Sequence, residues 1–291
     1  MRFDLSIVIV TYNNASVIAE CLKTLSTAVS SNSTELFLID NNSTDDTPEI
    51  LRNMDSWKQL SFNHVERIYN NANVGYTKGV NQGLRKSRGR YVLMLNPDMM
   101  FHNNPFQILL PILEDEKVGI VSPQFRFPQG RVQASCRRFP TKRDVVFEFM
   151  GLSRLFAASA FFNAWRFPDF NHLHSADVAQ PQGAFLLTRL NVLNAVGLLD
   201  ENLHMFFSDV DWCRRVHEHG WRIRFCAETF VYHVMGASVR QKRAEMIVSS
   251  HRSFVDYFAK YDVSFFDKFL TVLIRILLLA ATPLRLLTTK F

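Results

Sequence analysis

Paired cysteines are missing from this sequence. Cys21, Cys136, Cys213 and Cys226 form no Cys-x-x-Cys pair and no zinc-type spacing. A disulfide framework and a structural zinc site are therefore set aside, and a reduced intracellular chain is the simplest expectation. A leader is not expected either. The apolar run Leu5 to Val10 is too short and passes into Thr11-Tyr12-Asn13-Asn14 with no small-residue cleavage site, so a cytoplasmic location is expected. There is no internal repeat and no low-complexity linker. Basic residues do not cluster on one element: Arg137-Arg138, Arg214-Arg215 and the stretch Arg240 to Arg243 are dispersed, which argues against a nucleic-acid surface. No Gly-rich basic loop follows the first apolar run, as a nucleotidyltransferase would normally want.

What is present points elsewhere. At 291 residues and 47% hydrophobic, the chain can bury one large α/β core, with room for a small appendage. Its 21% charged content excludes a wholly disordered chain. The net charge of +6 favours anionic partners such as nucleotide phosphates, lipid phosphates or an anionic leaflet.

Leu5-Ser-Ile-Val-Ile-Val10 reads as a central strand, and Asn13, Asn14 and Ser16 offer capping chemistry for a helix to about Leu25. Glu35 to Asp40 reads as a second strand, followed by a turn and by Pro48 in the first turn of a helix. A strand near Val65 to Tyr69, a helix from Tyr76 to about Lys86 and a strand from Arg90 to Leu95 complete a β-α-β-α-β order. That order implies a parallel sheet with right-handed crossovers and a ligand site at the carboxyl ends of its strands. Those ends carry Thr11-Tyr12-Asn13, Asp40-Asn41-Asn42 and Asn96-Pro97-Asp98. Between Phe101 and Ala179 the pattern is weak. Gln182 to Thr188 reads as a strand, Asp209 to His219 as a helix stopped by Gly220, and Trp221–Cys226 and Thr229–His233 as two strands.

Moving a sugar off a nucleotide diphosphate requires a grip on the nucleoside, positive charge at the leaving diphosphate and a base for the acceptor hydroxyl. Asp98 ends an apolar strand and is a metal candidate, although Asn-Pro-Asp is also a common turn. Asp40 can bind a ribose hydroxyl or simply hold its own Asx-turn. Asp209 lies at a helix start, where the macrodipole favours a carboxylate and where helix capping is the plainer role. His233 follows a strand, a position that suits a structural histidine as well as a ligand.

In order along the chain come Ile-Val-Thr-Tyr-Asn-Asn14, Ile-Asp40-Asn-Asn-Ser-Thr-Asp, Asn73-Val-Gly-Tyr-Thr-Lys-Gly-Val-Asn81, Leu-Asn-Pro-Asp98, Gln182-Gly-Ala-Phe, Asp209-Val-Asp211-Trp-Cys-Arg-Arg and Tyr232-His233. Over residues 5 to 240 this series resembles glycosyltransferase family 2, particularly its rhamnosyltransferase-like branch. The resemblance implies a GT-A fold: a Rossmann-like, mostly parallel sheet flanked by helices. It also implies an inverting enzyme with a Mg2+ or Mn2+ cofactor and a first-guess donor of dTDP-rhamnose. By the same resemblance, Thr11, Tyr12, Asn13, Asp40, Asn42, Asn73, Lys78, Asn81 and Asn96 would hold the donor. Gln182, Gly183, Asp211 and Trp212 would meet the acceptor, Asp98 and His233 would bind the metal, and Asp209 would be the base. Arg240 could add charge near the diphosphate. Two positions depart from the family pattern: Asn96 replaces the first carboxylate of the metal motif, and Ser208 replaces the Glu before the base.

Residues 1–245 are expected to form the transferase domain, with the nucleotide half at 1–100 and the acceptor half at 101–245. Residues 246–291 are expected to form a C-terminal helical appendage. Phe265 to Leu287 is strongly apolar, yet Arg275, Pro283 and Arg285 argue against a spanning helix, which needs about 20 largely uncharged residues. An amphipathic helix in the membrane interface fits the pattern, as does one packed on the domain or on a partner subunit. The functional expectation is therefore a glycosyltransferase for a glycan or lipid-linked glycan acceptor, peripheral on the inner membrane face. A nucleotidyltransferase and a non-catalytic sugar-nucleotide binding module are the alternatives.

Overall fold

The computed structural model describes residues 3–54, 60–203, 206–234 and 243–288. Its first half runs β1 (Leu5–Thr11), α1 (Ala15–Ala28), β2 (Thr34–Asp40), α2 (Thr47–Asn53), β3 (His64–Tyr69), α3 (Tyr76–Leu84), β4 (Tyr91–Leu95), β5 (Met99–Met100), α4 (Phe106–Ile112) and β6 (Val118–Arg126). The middle carries β7 (Cys136–Arg137), α5 (Lys142–Phe149), α6 (Leu152–Leu155), β8 (Ala176–Asp177), β9 (Gln180–Pro181), β10 (Phe185–Arg189) and α7 (Leu190–Val196). The chain continues through α8 (Ser208–Glu218), β11 (Arg222–His233), α9 (Arg243–Tyr261) and α10 (Phe265–Thr288).

Side-chain alternation along β1 builds the layers. Leu5, Ile7 and Ile9 meet Ile18, Leu22 and Leu25 of α1 on one face of the sheet. Val8 and Val10 meet Val80 and Leu84 of α3 on the other. Each such fully buried aliphatic side chain stabilises the fold by about 1.5–3 kcal/mol. Gly83 lets α3 lie close to the sheet, since a Cβ there would meet the Val8 side chain at 2.5 Å.

The main sheet runs in the order β3-β2-β1-β4-β10-β6-β11-β5, with β8 also paired to β11. The first four strands are parallel, as the β-α-β-α-β order predicts. β10 is antiparallel to both β4 and β6, while β11 is parallel to β6. The carboxyl ends of β1, β2, β4, β6 and β11 therefore share one edge with the amino end of β10. The weakly patterned middle hides β6, which contains Ser122, Pro123 and Gln124 although all lie in a buried strand. The two strands expected at 221–233 are one strand with a bulge between Cys226 and Phe230. That bulge lies opposite Pro123, which has no N–H to offer its neighbour.

Tyr257, Phe258, Ile274 and Leu278 of the C-terminal helices pack with Val145 of α5 and Val210 of α8. Among the described residues, no helix is long and apolar enough to cross a membrane. Under this packing, the Asp211 carboxylate takes Arg215 Nε at 2.9 Å, Lys260 Nζ at 2.7 Å and the Tyr261 hydroxyl at 2.7 Å. Trp212 is fully buried and donates from Nε1 to Gly197 O at 2.9 Å. Both were expected to meet the acceptor. Instead, Asp211 ties α8 to α9, and Trp212 fills the core beneath α7. Removing one partner of a buried ionic cluster strands the remaining charges. Asp211→Ala should lower the unfolding free energy by about 3–5 kcal/mol in a urea titration.

Candidate active site

The loops after β1 and β2 are held by their own side chains. Asp40 Oδ1 accepts from Ser43 Oγ at 2.5 Å and Thr11 Oγ1 at 3.1 Å, while Oδ2 accepts from Ser43 N at 3.0 Å. Asn13 Oδ1 accepts from Thr44 N at 2.8 Å. Asn13 and Asn42 have φ values of 54° and 62°, a left-handed conformation that asparagine tolerates better than most residues. Thr11 and Asp40 are buried, Tyr12 and Asn13 are half-buried, and Asn42 is exposed. Asn73 accepts from Gly75 N at 3.0 Å in a local turn, and Lys78 projects from the exposed side of α3. Asn81 does not belong with them. It is buried, donating to Leu199 O at 2.9 Å and accepting from Leu199 N at 3.1 Å, so it fastens α3 to a distant loop.

Asp98 and His233 meet through a backbone connection. β5 pairs with the end of β11, and Val234 N donates to Asp98 O at 3.0 Å. Asp98 Oδ1 lies 3.5 Å from His233 Nε2. That oxygen is buried and has no hydrogen-bond partner among the described residues. An orphaned carboxylate oxygen facing an imidazole nitrogen fits a divalent cation between them. Among the described residues no group of three or more His, Cys, Asp and Glu side chains gathers around an ion. Water and phosphate oxygens would complete the shell, as hard cations such as Mg2+ prefer. Asn96, half-buried, stands two residues before Asp98. Arg240 lies outside the described residues.

Asp209 is the second residue of α8 and is half-buried. Gly183 N donates to its Oδ2 at 2.9 Å. Only glycine fits at 183, because a Cβ would lie 2.7 Å from both Cβ and Oδ2 of Asp209. Burial pushes the Asp209 carboxyl above its ordinary value. The N–H groups of Gly183, Val210 and Asp209 itself, together with Arg137, pull it back only in part. The helix-start position thus offsets desolvation without overcoming it. Gln182 is exposed beside this contact, with its N–H on Ser135 O at 2.7 Å. Ser208 is buried, and its hydroxyl has no partner among the described residues.

Three residues absent from the sequence expectations join the site. Burial and then the charges of Asp209 and Asp98 push the Tyr76 hydroxyl up, and that hydroxyl donates to Gly183 O at 3.5 Å. Arg137 stands over the Trp165 ring at 4.9 Å, and Trp165 stacks on Phe207 at the start of α8. Gln133 contacts His233 through a hydrogen bond of 3.0 Å to Nδ1. Arg137 and Gln133 lie where the sequence shows no periodicity, and Tyr76 looks like an ordinary helix residue.

Residues 6–157 match the family model for Glycosyl transferase family 2. The chain belongs to glycosyl transferase family 2. This transferase is 25% identical over 261 residues to the low-salt glycan biosynthesis hexosyltransferase Agl10 of Haloferax volcanii, spanning 88% of this chain and 74% of that one. It is similar in structure to the mannosyltransferase PcManGT of Pyrobaculum calidifontis, solved with GDP-Man and Mn2+. The TM-score is 0.59 at 16% identity, covering 100% of this chain and 77% of the other. Its likeness to S. aureus TarS has a TM-score of 0.53 at 16% identity, and covers 87% of this chain but 41% of that one. These likenesses show the GT-A fold. Asp209 and His233 lie beyond the matched stretch. Gly183→Ala should displace the Asp209 carboxylate and reduce turnover about 100-fold, since misplacement of a reacting group by about 1 Å has that effect. A titration with nucleoside diphosphate should show affinity unchanged within a few-fold.

Proposed function

We propose that this transferase moves a sugar from a nucleotide-diphosphate donor to a glycan or lipid-linked glycan, with inversion, in cell-surface polysaccharide synthesis. The observation that carries the reading is the raised Asp209 carboxyl, fixed by the N–H of Gly183, whose carbonyl takes the Tyr76 hydroxyl at 3.5 Å. In one in-line displacement, Asp209 takes the acceptor hydroxyl proton while that oxygen attacks the anomeric carbon. The bond to the diphosphate breaks on the opposite face, and the electron pair leaves with the nucleoside diphosphate. A raised carboxyl is a stronger base than an ordinary one, which suits this transfer. Thr11, Tyr12, Asn13, Asp40, Asn42, Asn73, Lys78 and Asn96 form the donor side, and Gln182 and Gly183 lie toward the acceptor. Asp98 and His233 would hold Mg2+ or Mn2+, which supplies positive charge at the leaving diphosphate.

The hexosyltransferase of glycan biosynthesis among the relatives supports a hexosyl-type donor and a glycan acceptor. We take dTDP-rhamnose as the first donor to try, on the Leu95-Asn-Pro-Asp98 resemblance. GDP-Man and UDP-GlcNAc, the donors seen with structural neighbours, complete the panel. The C-terminal appendage supports attachment to the cytoplasmic membrane face. On α10, Thr271, Ile274 and Leu278 face the protein, while Phe265, Phe269, Val272, Ile276 and Leu279 are exposed beside exposed Lys268 and Arg275. An apolar face bordered by basic side chains is the pattern of an interfacial helix.

Asp209→Asn should cut acceptor-dependent release of nucleoside diphosphate by about 10²–10⁴-fold while donor binding persists. Equal turnover would remove Asp209 as the base, and donor binding without turnover in wild type would favour the binding-module alternative. The base must be ionised, so wild-type rate should rise with pH through a point above the ordinary carboxylate range. Arg137→Met, by removing a cation that favours ionisation, should move this rise to higher pH in the kcat profile. Phe269→Glu with Ile276→Glu should abolish co-sedimentation with anionic phospholipid vesicles and leave turnover of a water-soluble acceptor unchanged.

A further inference from the structure

Gln133 is 4% exposed and sits beyond β6, with its backbone N–H on Phe125 O at 2.8 Å. Its Nε2 donates to the His233 main-chain carbonyl at 2.7 Å. A carbonyl only accepts, so the orientation of the Gln133 amide is fixed. Oε1 therefore faces His233 Nδ1, at 3.0 Å. An amide oxygen carries no hydrogen, so Nδ1 must be the protonated nitrogen. In the neutral ring the lone pair is then on Nε2, which is 3.5 Å from the orphaned Asp98 Oδ1. The edge-on Phe125 ring, 5.6 Å from the imidazole, limits its rotation.

We propose that Gln133 is a positioning residue that fixes the His233 tautomer and ring angle, so that Nε2 and Asp98 Oδ1 present two acceptors to one divalent cation. The proposal rests on the metal-dependent reading above. A neutral amide in this place has a chemical meaning. A carboxylate bonded to Nδ1–H would raise the basicity of the imidazole and tighten its hold on the cation. An amide orients the ring without adding charge, so a cation at Nε2 would be held less tightly than by an imidazole backed by a carboxylate. The residue also grips its target twice, at the ring and at the carbonyl of the same residue. The side chain and backbone of His233 are thus set by one amide.

The test has two parts. In wild-type protein at a pH where His233 is neutral, long-range proton–nitrogen NMR of the imidazole should show the Nδ1–H tautomer, and an Nε2–H tautomer would overturn the proposal without any variant. Mn2+ binding is then followed by electron paramagnetic resonance with UDP, dTDP and GDP in turn, comparing wild type with the similarly sized Gln133→Met. Circular dichroism confirms that the variant is folded. Mn2+ affinity should fall about 10–100-fold, the usual effect of losing a partner that orients a ligand. Nucleoside diphosphate affinity without metal should stay within two-fold. Equal Mn2+ affinity in both proteins would overturn the role of Gln133 and leave the metal-dependent reading standing. No Mn2+ binding by wild type would overturn both.

Discussion

The site depends on one reversed strand. β10 runs antiparallel between β4 and β6, whereas those two strands run parallel to β1 and β2. In an all-parallel sheet, the segment before β10 would open at the opposite edge from Asp40 and Asp98. Reversal brings Gln182-Gly183 to the edge where the parallel strands end, and Gly183 in turn holds Asp209. Because β11 again follows the direction of β6, His233 arrives at that same edge. Backbone pairing thus brings Asp98, Asp209 and His233 to one edge from distant segments of the chain.

The two carboxylates experience different environments there. Asp209 is surrounded by donors, yet burial dominates and its proton is held more tightly than usual. Asp98 keeps one buried oxygen free of any hydrogen bond among the described residues. Leaving an acceptor unsatisfied costs about 1–3 kcal/mol, a cost that a bound cation would offset. The loops after β1 and β2 show the opposite economy. Asp40, Ser43, Thr11, Asn13 and Thr44 satisfy one another, so the shape of these loops is set before any ligand binds.

The nucleotide half was legible because its strands are uninterrupted apolar runs and its loops begin at abrupt changes to Asn, Asp and Thr. β6 was not, because Pro123, Ser122 and Gln124 break the run although tertiary contacts bury it: Gln124 donates to His172 O at 2.7 Å. The resemblance identified Asp98, His233 and Asp209 as positions, but it could not separate motif residues that serve the scaffold. Asn81, Asp211 and Trp212 share the motifs and are turned into the protein by contacts with Leu199, Lys260 and Gly197. Gln133 and Arg137 have the reverse history. Their partners are distant in sequence, and no local periodicity marks such a contact.

The Asp211 cluster also bears on how the chain can be shortened. An apolar C-terminal helix is an obvious place to cut when a more manageable protein is wanted. Cutting before α9 would remove Lys260 and Tyr261 and leave the Asp211 carboxylate with Arg215 alone. Asp211 is two residues along the same helix from Asp209, so the damage would reach Asp209 through a single turn of α8. A truncated protein that dissolves well and does nothing would then say little about membranes. Its silence would report a loosened helix.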